Sequence, residues 1–189
     1  MRILFIDNYD SFTYNVIEIL RQFDTVDLTV VQNNELNMLS TEDYDGMILS
    51  PGPDLPSAAG GLVAFIEKHI QSIPTLGICL GHQAIAEYFG GTLKQYKNPM
   101  HGEKTQLQIL EDSPLFKEIP NTIEVGLYHS WYVNNKNFPD ELKITAQNLE
   151  GVIMAMEHKT LPIYSVQFHP ESYMSEYGQE ILQNFIHCL

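Results

Sequence analysis

Apolar positions along the chain fall into two rhythms. In the first half, short continuous apolar runs alternate with segments of helical period. "RILFID" (2–7) reads as a buried strand. "SFTYNVIEILRQF" (11–23) reads as a helix with Phe12, Val16, Ile19, Leu20 and Phe23 on one face and Asp10 or Ser11 as its cap. "DLTVVQ" (27–32) and "GMILS" (46–50) are strands, "GGLVAFIEKHI" (60–70) is helical, "TLGI" (75–78) is a strand, and "HQAIAEYF" (82–89) is a helix stopped by Gly90-Gly91. Continuous apolar strands separated by helices predict a parallel sheet covered on both faces.

The second half changes rhythm. "TQLQIL", "TIEVGLY", "LKITAQ", "VIMAMEH" and "PIYSVQF" follow one another as strands, and "EYGQEILQNFIHCL" closes the chain as a helix. The expected fold class is α/β: three layers, a flavodoxin-like and mostly parallel sheet with helices on both faces and an antiparallel extension. With 189 residues and no repeat or linker in view, one domain spanning 1–189 is expected.

Composition narrows the classes. Apolar residues make up 44 % of the chain and charged residues 18 %, as in ordinary globular proteins. The net charge of −14 repels nucleic acid and anionic membranes, so neither is an expected partner. Two cysteines make no disulfide framework. The first apolar run is cut off by Asp7, and no segment approaches the ~20 apolar residues of a membrane span. A soluble, cytoplasmic protein is expected.

In open α/β sheets, sites form beyond the carboxyl ends of the strands. Three segments there carry chemistry: "SPGPDLP" (50–56), Cys79, and "QFHPES" (167–172). The spacing Gly77-x-Cys79-x-Gly81 has the form of a nucleophile elbow, a sharp strand-to-helix turn that needs small neighbours. Such a turn exposes the sulfur at a helix N-terminus, which favours thiolate, and turns the Leu80 N–H toward an oxyanion. The bland reading, a small core cysteine, fits Cys188 in the terminal helix better than Cys79.

A nucleophilic thiol needs a base. Among seven histidines, His169 stands out because Pro170 biases it to an extended conformation, which places His169 and Glu171 side by side. A carboxylate there orients an imidazole and stabilises its charged form. No His/Cys spacing suggests a metal, and no cofactor is expected. "DNYDSFTYN" (7–15), after the first strand, is where flavodoxin-like proteins hold a flavin phosphate, but Asp7 and Asp10 oppose an anion. That flavin carrier and a catalytically silent interaction subunit are alternatives to a cysteine-based enzyme.

"FIDNYDSFTYN" (5–15), "LSPGPDLPSAAG" (49–60), "LGICLGHQAIAEYFGG" (76–91), "YHSWYV" (128–133) and "VQFHPES" (166–172) occur in the order found in the class I (triad) glutamine amidotransferases, and the chain resembles that family across nearly its whole length. It most resembles the branch of glutaminase subunits that serve anthranilate and aminodeoxychorismate synthases; a free-standing hydrolase of another γ-glutamyl substrate is the alternative. The resemblance implies that Cys79 attacks the amide carbon of L-glutamine, that His169 relays the proton, and that Glu171 orients His169. It implies an oxyanion hole of Gly52 and Leu80 N–H groups. It also implies glutamine contacts from Gly52, Pro53, Asp54, Gln83, Ser130 and Trp131, and a partner, the synthase large subunit (component I), that binds chorismate. Three positions depart from the family pattern: Asp54 where glycine is frequent, "EKTQ" after His101-Gly102, and Leu127 and Trp131 flanking "YHS".

Overall fold

The computed structural model describes residues 1–189, the side chain of residue 98 excepted. The strands are β1 (Arg2–Asp7), β2 (Asp27–Gln32), β3 (Gly46–Leu49), β4 (Thr75–Ile78), β5 (Leu93–Ile109), β6 (Thr122–Val133), β7 (Leu142–Asn148), β8 (Ile153–His158) and β9 (Ile163–Val166). The α-helices are α1 (Thr13–Arg21), α2 (Leu62–His69), α3 (Leu80–Tyr88) and α4 (Gly178–Ile186). All strands join one sheet in the order β2-β1-β3-β4-β9-β8-β7-β5-β6. The five from β2 to β9 are parallel to one another, and the remaining four pair antiparallel.

Period-2 alternation divides the core. Ile3 and Phe5 of β1, with Ile48, Leu76 and Ile78, pack beneath Val16, Ile17 and Leu20 of α1 and Ile181, Leu182 and Phe185 of α4. Leu4 and Ile6, with Met47 and Leu49, face the other way, onto Leu62, Phe65 and Ile66 of α2 and Ala84 and Ile85 of α3. A strand buried on both faces has no polar side, which is why these runs are continuously apolar. Each such aliphatic side chain contributes about 1.5–3 kcal/mol on burial.

Three expectations need correction. Phe12 is not on the buried face of α1; it precedes the helix and turns into a cleft beside His169. Neither Asp10 nor Ser11 is the terminal cap residue, which is Phe12, although the Asp10 carboxylate accepts the Phe12 N–H at 2.8 Å. The strand expected from "TQLQIL" onward begins much earlier: the stretch 98–105 already lies inside β5, where His101 faces Tyr128 and Glu103 faces Leu127 of β6. Two register shifts, around 96–99 and at Gly102 with φ +70°, break its alternation and hide the strand.

The carboxyl ends of β1, β3, β4 and β9 meet along one edge of the parallel half. β6 passes next to the β9 end: the His169 N–H donates to the Gly126 carbonyl at 3.2 Å.

Candidate active site

The turn after β4 is as tight as the glycine spacing predicts. Cys79 sits at φ +52°, ψ −98°, a strained conformation for a residue with a side chain. A Cβ on Gly77 would come 2.6 Å from the backbone of Gly81, and one on Gly81 would come 2.5 Å from the Leu49 carbonyl oxygen. Both glycines are therefore needed to let strand, turn and helix pass so closely. The Cys79 N–H is tied to the Val166 carbonyl at 2.8 Å, so β9 holds the turn from the opposite side.

His169 Nδ1 lies 2.6 Å from Glu171 Oε1, and both side chains are shut off from solvent. His169 Nε2, the other ring nitrogen, is buried and has no hydrogen-bond partner among the described residues. Burial is the largest influence on the ring and opposes its charge. The adjacent Cys79 first, and then the bond and charge of Glu171, act the other way and prevail, holding the pKa well above 6.5. The turns that follow β4 and β9 thus bring Cys79 next to the His169–Glu171 pair, 90 and 92 positions further along the chain.

The turn carrying His169 is clamped. The Ser175 hydroxyl donates to the His169 carbonyl at 2.6 Å, and Tyr128 OH shares a hydrogen bond with Ser172 Oγ at 3.1 Å. A Cβ on Gly178 would collide with the Pro170 carbonyl, so α4 starts directly against the turn. Phe12 and Tyr128 wall the imidazole, with ring centroids 5.6 and 5.1 Å from it.

A cleft of about 440 Å³ opens above Cys79. Every residue expected at the glutamine subsite lines it: Gly52, Pro53, Asp54, Gln83, Ser130 and Trp131. Gly52 is pressed against the first loop, where a Cβ would meet Asn8 Cβ at 2.7 Å and Leu80 Cδ1 at 3.0 Å. This closeness sets the Gly52 loop against the side chain of Leu80, the residue that follows Cys79. Asp54 has φ +61°, which explains why glycine suits that position. Gln83 Nε2 donates to the Trp131 carbonyl at 2.9 Å and to Gln167 Oε1 at 3.3 Å, so both its hydrogens are used and Oε1 remains to accept. The Trp131 carbonyl also accepts from His129 Nδ1 at 2.8 Å, which fills it.

"DNYDSFTYN" proves to be a fastener. Asp7 Oδ1 accepts from the Tyr9 N–H and the Thr13 hydroxyl, and Asp10 Oδ1 accepts from the Phe12 N–H. Asn8 bonds Ser50 twice, N–H to Oγ at 2.8 Å and Nδ2 to the carbonyl at 3.0 Å. Carboxylates already occupy the donors a phosphate would need, so the loop does not form a flavin-phosphate cradle. Instead it ties the β1 loop to the loop bearing Gly52.

Three contributors escape a reading of the sequence alone: Phe12, Gln167 and the buried His82–His129 pair. Burial is the largest cause that pushes His82 down to about 3 and His129 to about 4, so both are neutral near pH 7. Among the described residues, no group of three or more His, Cys, Asp or Glu is placed to hold a metal ion, and no helix is long and apolar enough to cross a membrane.

A family model described as glutamine amidotransferase class-I matches residues 4–188. A Haemophilus influenzae protein provisionally described as anthranilate synthase component II is 48 % identical over 186 residues, which cover 98 % of this chain and 96 % of that protein. The aminodeoxychorismate/anthranilate synthase component 2 of Bacillus subtilis is 40 % identical over 186 residues, covering 97 % and 95 %. A solved structure from Thermoplasma acidophilum, provisionally described as a GMP synthase subunit, superposes with TM-score 0.85 at 32 % identity, covering 99 % of this chain and 92 % of that one.

Proposed function

Because the chain belongs to the class I glutamine amidotransferases, we propose that it is the glutaminase subunit of a chorismate-aminating synthase and works through a cysteinyl thioester. The observation that carries the chemistry is the alignment of Cys79, His169 and Glu171 beneath a cleft large enough for an amino acid. The names of the relatives, component II of anthranilate or aminodeoxychorismate synthase, support the pathway.

In the proposed cycle, Cys79 Sγ attacks the side-chain amide carbon of L-glutamine. The thiol proton resides on His169, whose raised affinity for it suits this role, and passes to the leaving nitrogen as ammonia departs. Glu171 keeps the imidazole oriented. Water, deprotonated by His169, then opens the γ-glutamyl thioester and releases glutamate with the free thiol. The N–H groups of Gly52 and Leu80 take the oxyanion in both halves. Each such donor contributes about 2.7–4 kcal/mol to the transition state.

Gln83 offers only an acceptor to the cleft, so it suits the α-ammonium end of the substrate. The filled carbonyl of Trp131 leaves contacts from that stretch to Ser130 and to N–H groups. Gly52, Pro53 and Asp54 would close the opposite side, with Asp54 adding a carboxylate to the cleft. The reading takes 1–189 as one amidotransferase domain acting in the cytoplasm, with component I binding chorismate and receiving the ammonia.

The deciding experiment reconstitutes the synthase with Cys79→Ala. Glutamine-dependent product should disappear, while product from an added ammonium salt persists. Persistence of the glutamine-dependent reaction would overturn Cys79 as nucleophile. Failure of chorismate-binding large subunits to associate with the chain would overturn the pathway.

A further inference from the structure

Gln167 ends β9's approach to the His169 turn and is wholly buried. The hydrolysis described above does not use it. Its Nε2 nevertheless donates to Cys79 Sγ at 3.7 Å, and its Oε1 accepts from Gln83 Nε2 at 3.3 Å.

The direction of these bonds is fixed from one end. A backbone carbonyl only accepts, so the contact with Trp131 at 2.9 Å requires the nitrogen of Gln83 to point that way. The same nitrogen faces Gln167, which must answer with its oxygen. The amide nitrogen of Gln167 is then aimed at the sulfur. A flipped Gln167 would set its NH₂ against the NH₂ of Gln83. The bonds thus run without conflict from Trp131 through Gln83 and Gln167 to a donor that ends on Cys79.

We propose that Gln167 is a positioning residue for the nucleophile: its amide N–H holds the Cys79 sulfur in place and favours the thiolate. The proposal rests on the reading of Cys79 as nucleophile. A thiolate only accepts hydrogen bonds, so a fixed donor favours it over the thiol. The donor also limits rotation of the Cys79 side chain, which the strained turn points into the cleft. Gln83 lines that cleft, so contact of the substrate with Gln83 reaches the sulfur through two hydrogen bonds.

The test is alkylation of the full chain by iodoacetamide across a pH series, with Cys79 and Cys188 quantified separately by peptide mapping. Two variants are compared with wild type: Gln167→Met, which keeps the length and lacks the donor, and Gln167→Glu, which is nearly isosteric and replaces the donor with an acceptor. At neutral pH, Cys79 should label about tenfold more slowly in the Met variant and more slowly still in the Glu variant, as loss of a hydrogen bond to a charged group requires. The profile should move to higher pH in both, with Cys188 unchanged. Glutaminase kcat should fall with KM near wild type. Wild-type Cys79 labelling at every pH in both variants would overturn the proposal. So would faster labelling of both cysteines together in both variants, because Gln167 would then hold the fold rather than the sulfur. Alkylation needs no glutamine, so it decides this contact separately. Glutamine hydrolysis that survives Cys79→Ala would instead defeat the functional reading.

Discussion

Glu171 meets His169 at 2.6 Å through one carboxylate oxygen, while its other oxygen is buried with no partner among the described residues. The carboxylate therefore depends on the imidazolium, and the imidazolium on it. Removing one member of such a pair leaves an uncompensated buried group.

Glu171→Gln keeps the shape and deletes the charge. We expect kcat to fall roughly 10²–10⁴-fold, less than for loss of Cys79, because an orienting group acts through the base. The pH dependence has a definite sign. The folded pKa of His169 is raised above its ordinary 6.5 despite burial. Its contribution to stability is therefore full below about 6.5 and is lost as pH rises through the raised value. The Tm difference between wild type and Glu171→Gln should be largest at pH 6 and below and should shrink in alkaline buffer. A constant difference would break the assigned pairing.

His82 and His129 act in the opposite direction. Their pKa values are pushed down to about 3 and about 4, chiefly by burial. Stability from keeping them neutral is complete above about 6.5 and is lost as pH falls toward 4. Each contributes a slope of about 1.4 kcal/mol per pH unit in that window. His82→Gln, which can still donate to Ser165, should flatten the acid side of the stability profile by about one proton. Urea titrations at pH 4.5, 5.5 and 6.5 would measure this, and an unchanged slope would contradict a buried neutral His82.

The elbow can be tested by adding one methyl group. A Cβ at Gly77 meets the Gly81 backbone at 2.6 Å and Ile85 Cδ1 at 2.7 Å, so the turn itself must shift. Gly77→Ala should cost about 1–3 kcal/mol and lower kcat about 10²-fold by displacing the thiol. Gly90 is the control: at φ +89° no atom of the described residues lies within 4 Å of an added Cβ. Gly90→Ala should cost only about 1–2 kcal/mol of backbone strain and leave kcat alone. Equal losses of activity in the two variants would refute the packing account.

Much of this architecture was legible in the residues because its causes are local. β1 and β4 coincide with their apolar runs, since continuous burial leaves no room for polar interruption, and β2 coincides with its run although, at the edge of the sheet, it is largely open. Cys79 and the His169–Glu171 pair were legible because a sharp turn and a Pro-biased strand end leave spacing signatures. Phe12 was not, since the helical period assigns it to α1's apolar face and only the rings of Tyr128 and His169 draw it away. The early half of β5 hid behind Pro99 and the bulge at Gly102. Gln167 and Gly178 are set by contacts across the fold, with Cys79 and with Pro170, and no periodicity records those.

The two thiols should differ sharply in reactivity. Burial is the largest cause that pushes the Cys188 thiol up, and its hydrogen is given to the Asn184 carbonyl at 3.2 Å. Cys79 opens on the cleft next to a basic imidazole. A glutamine-like electrophile should label Cys79 first, and glutaminase activity should fall in step with that label. Peptide mapping that found the modification chiefly on Cys188 in inactivated protein would reverse the assignment.

The last expectation concerns activation by a partner. Tyr128 joins the β5–β6 hairpin to the turn that carries His169 and Glu171: its ring packs 5.1 Å from His169, and its hydroxyl meets Ser172. Opposite it, His101 pairs with Tyr128, and its Nε2 lies 3.4 Å from Ser130 Oγ. The segments 98–105 and 128–132, where the chain departs from its family pattern, are thus one hairpin wall of the cleft, with the side chain of Asn98 outside the described residues. A large subunit that docks on this wall can bias the imidazole and the Gly52–Leu80 donors without entering the site. Tenfold activation needs only about 1.4 kcal/mol of such bias. Glutamate release should be slow for the chain alone, rise with its synthase subunit, and rise further with chorismate. Tyr128→Ala should reduce the ratio between the last and first rates more than it reduces binding of the subunit. Full activity in the isolated chain, unchanged by either addition, would mark a free-standing glutaminase and end the case for coupling.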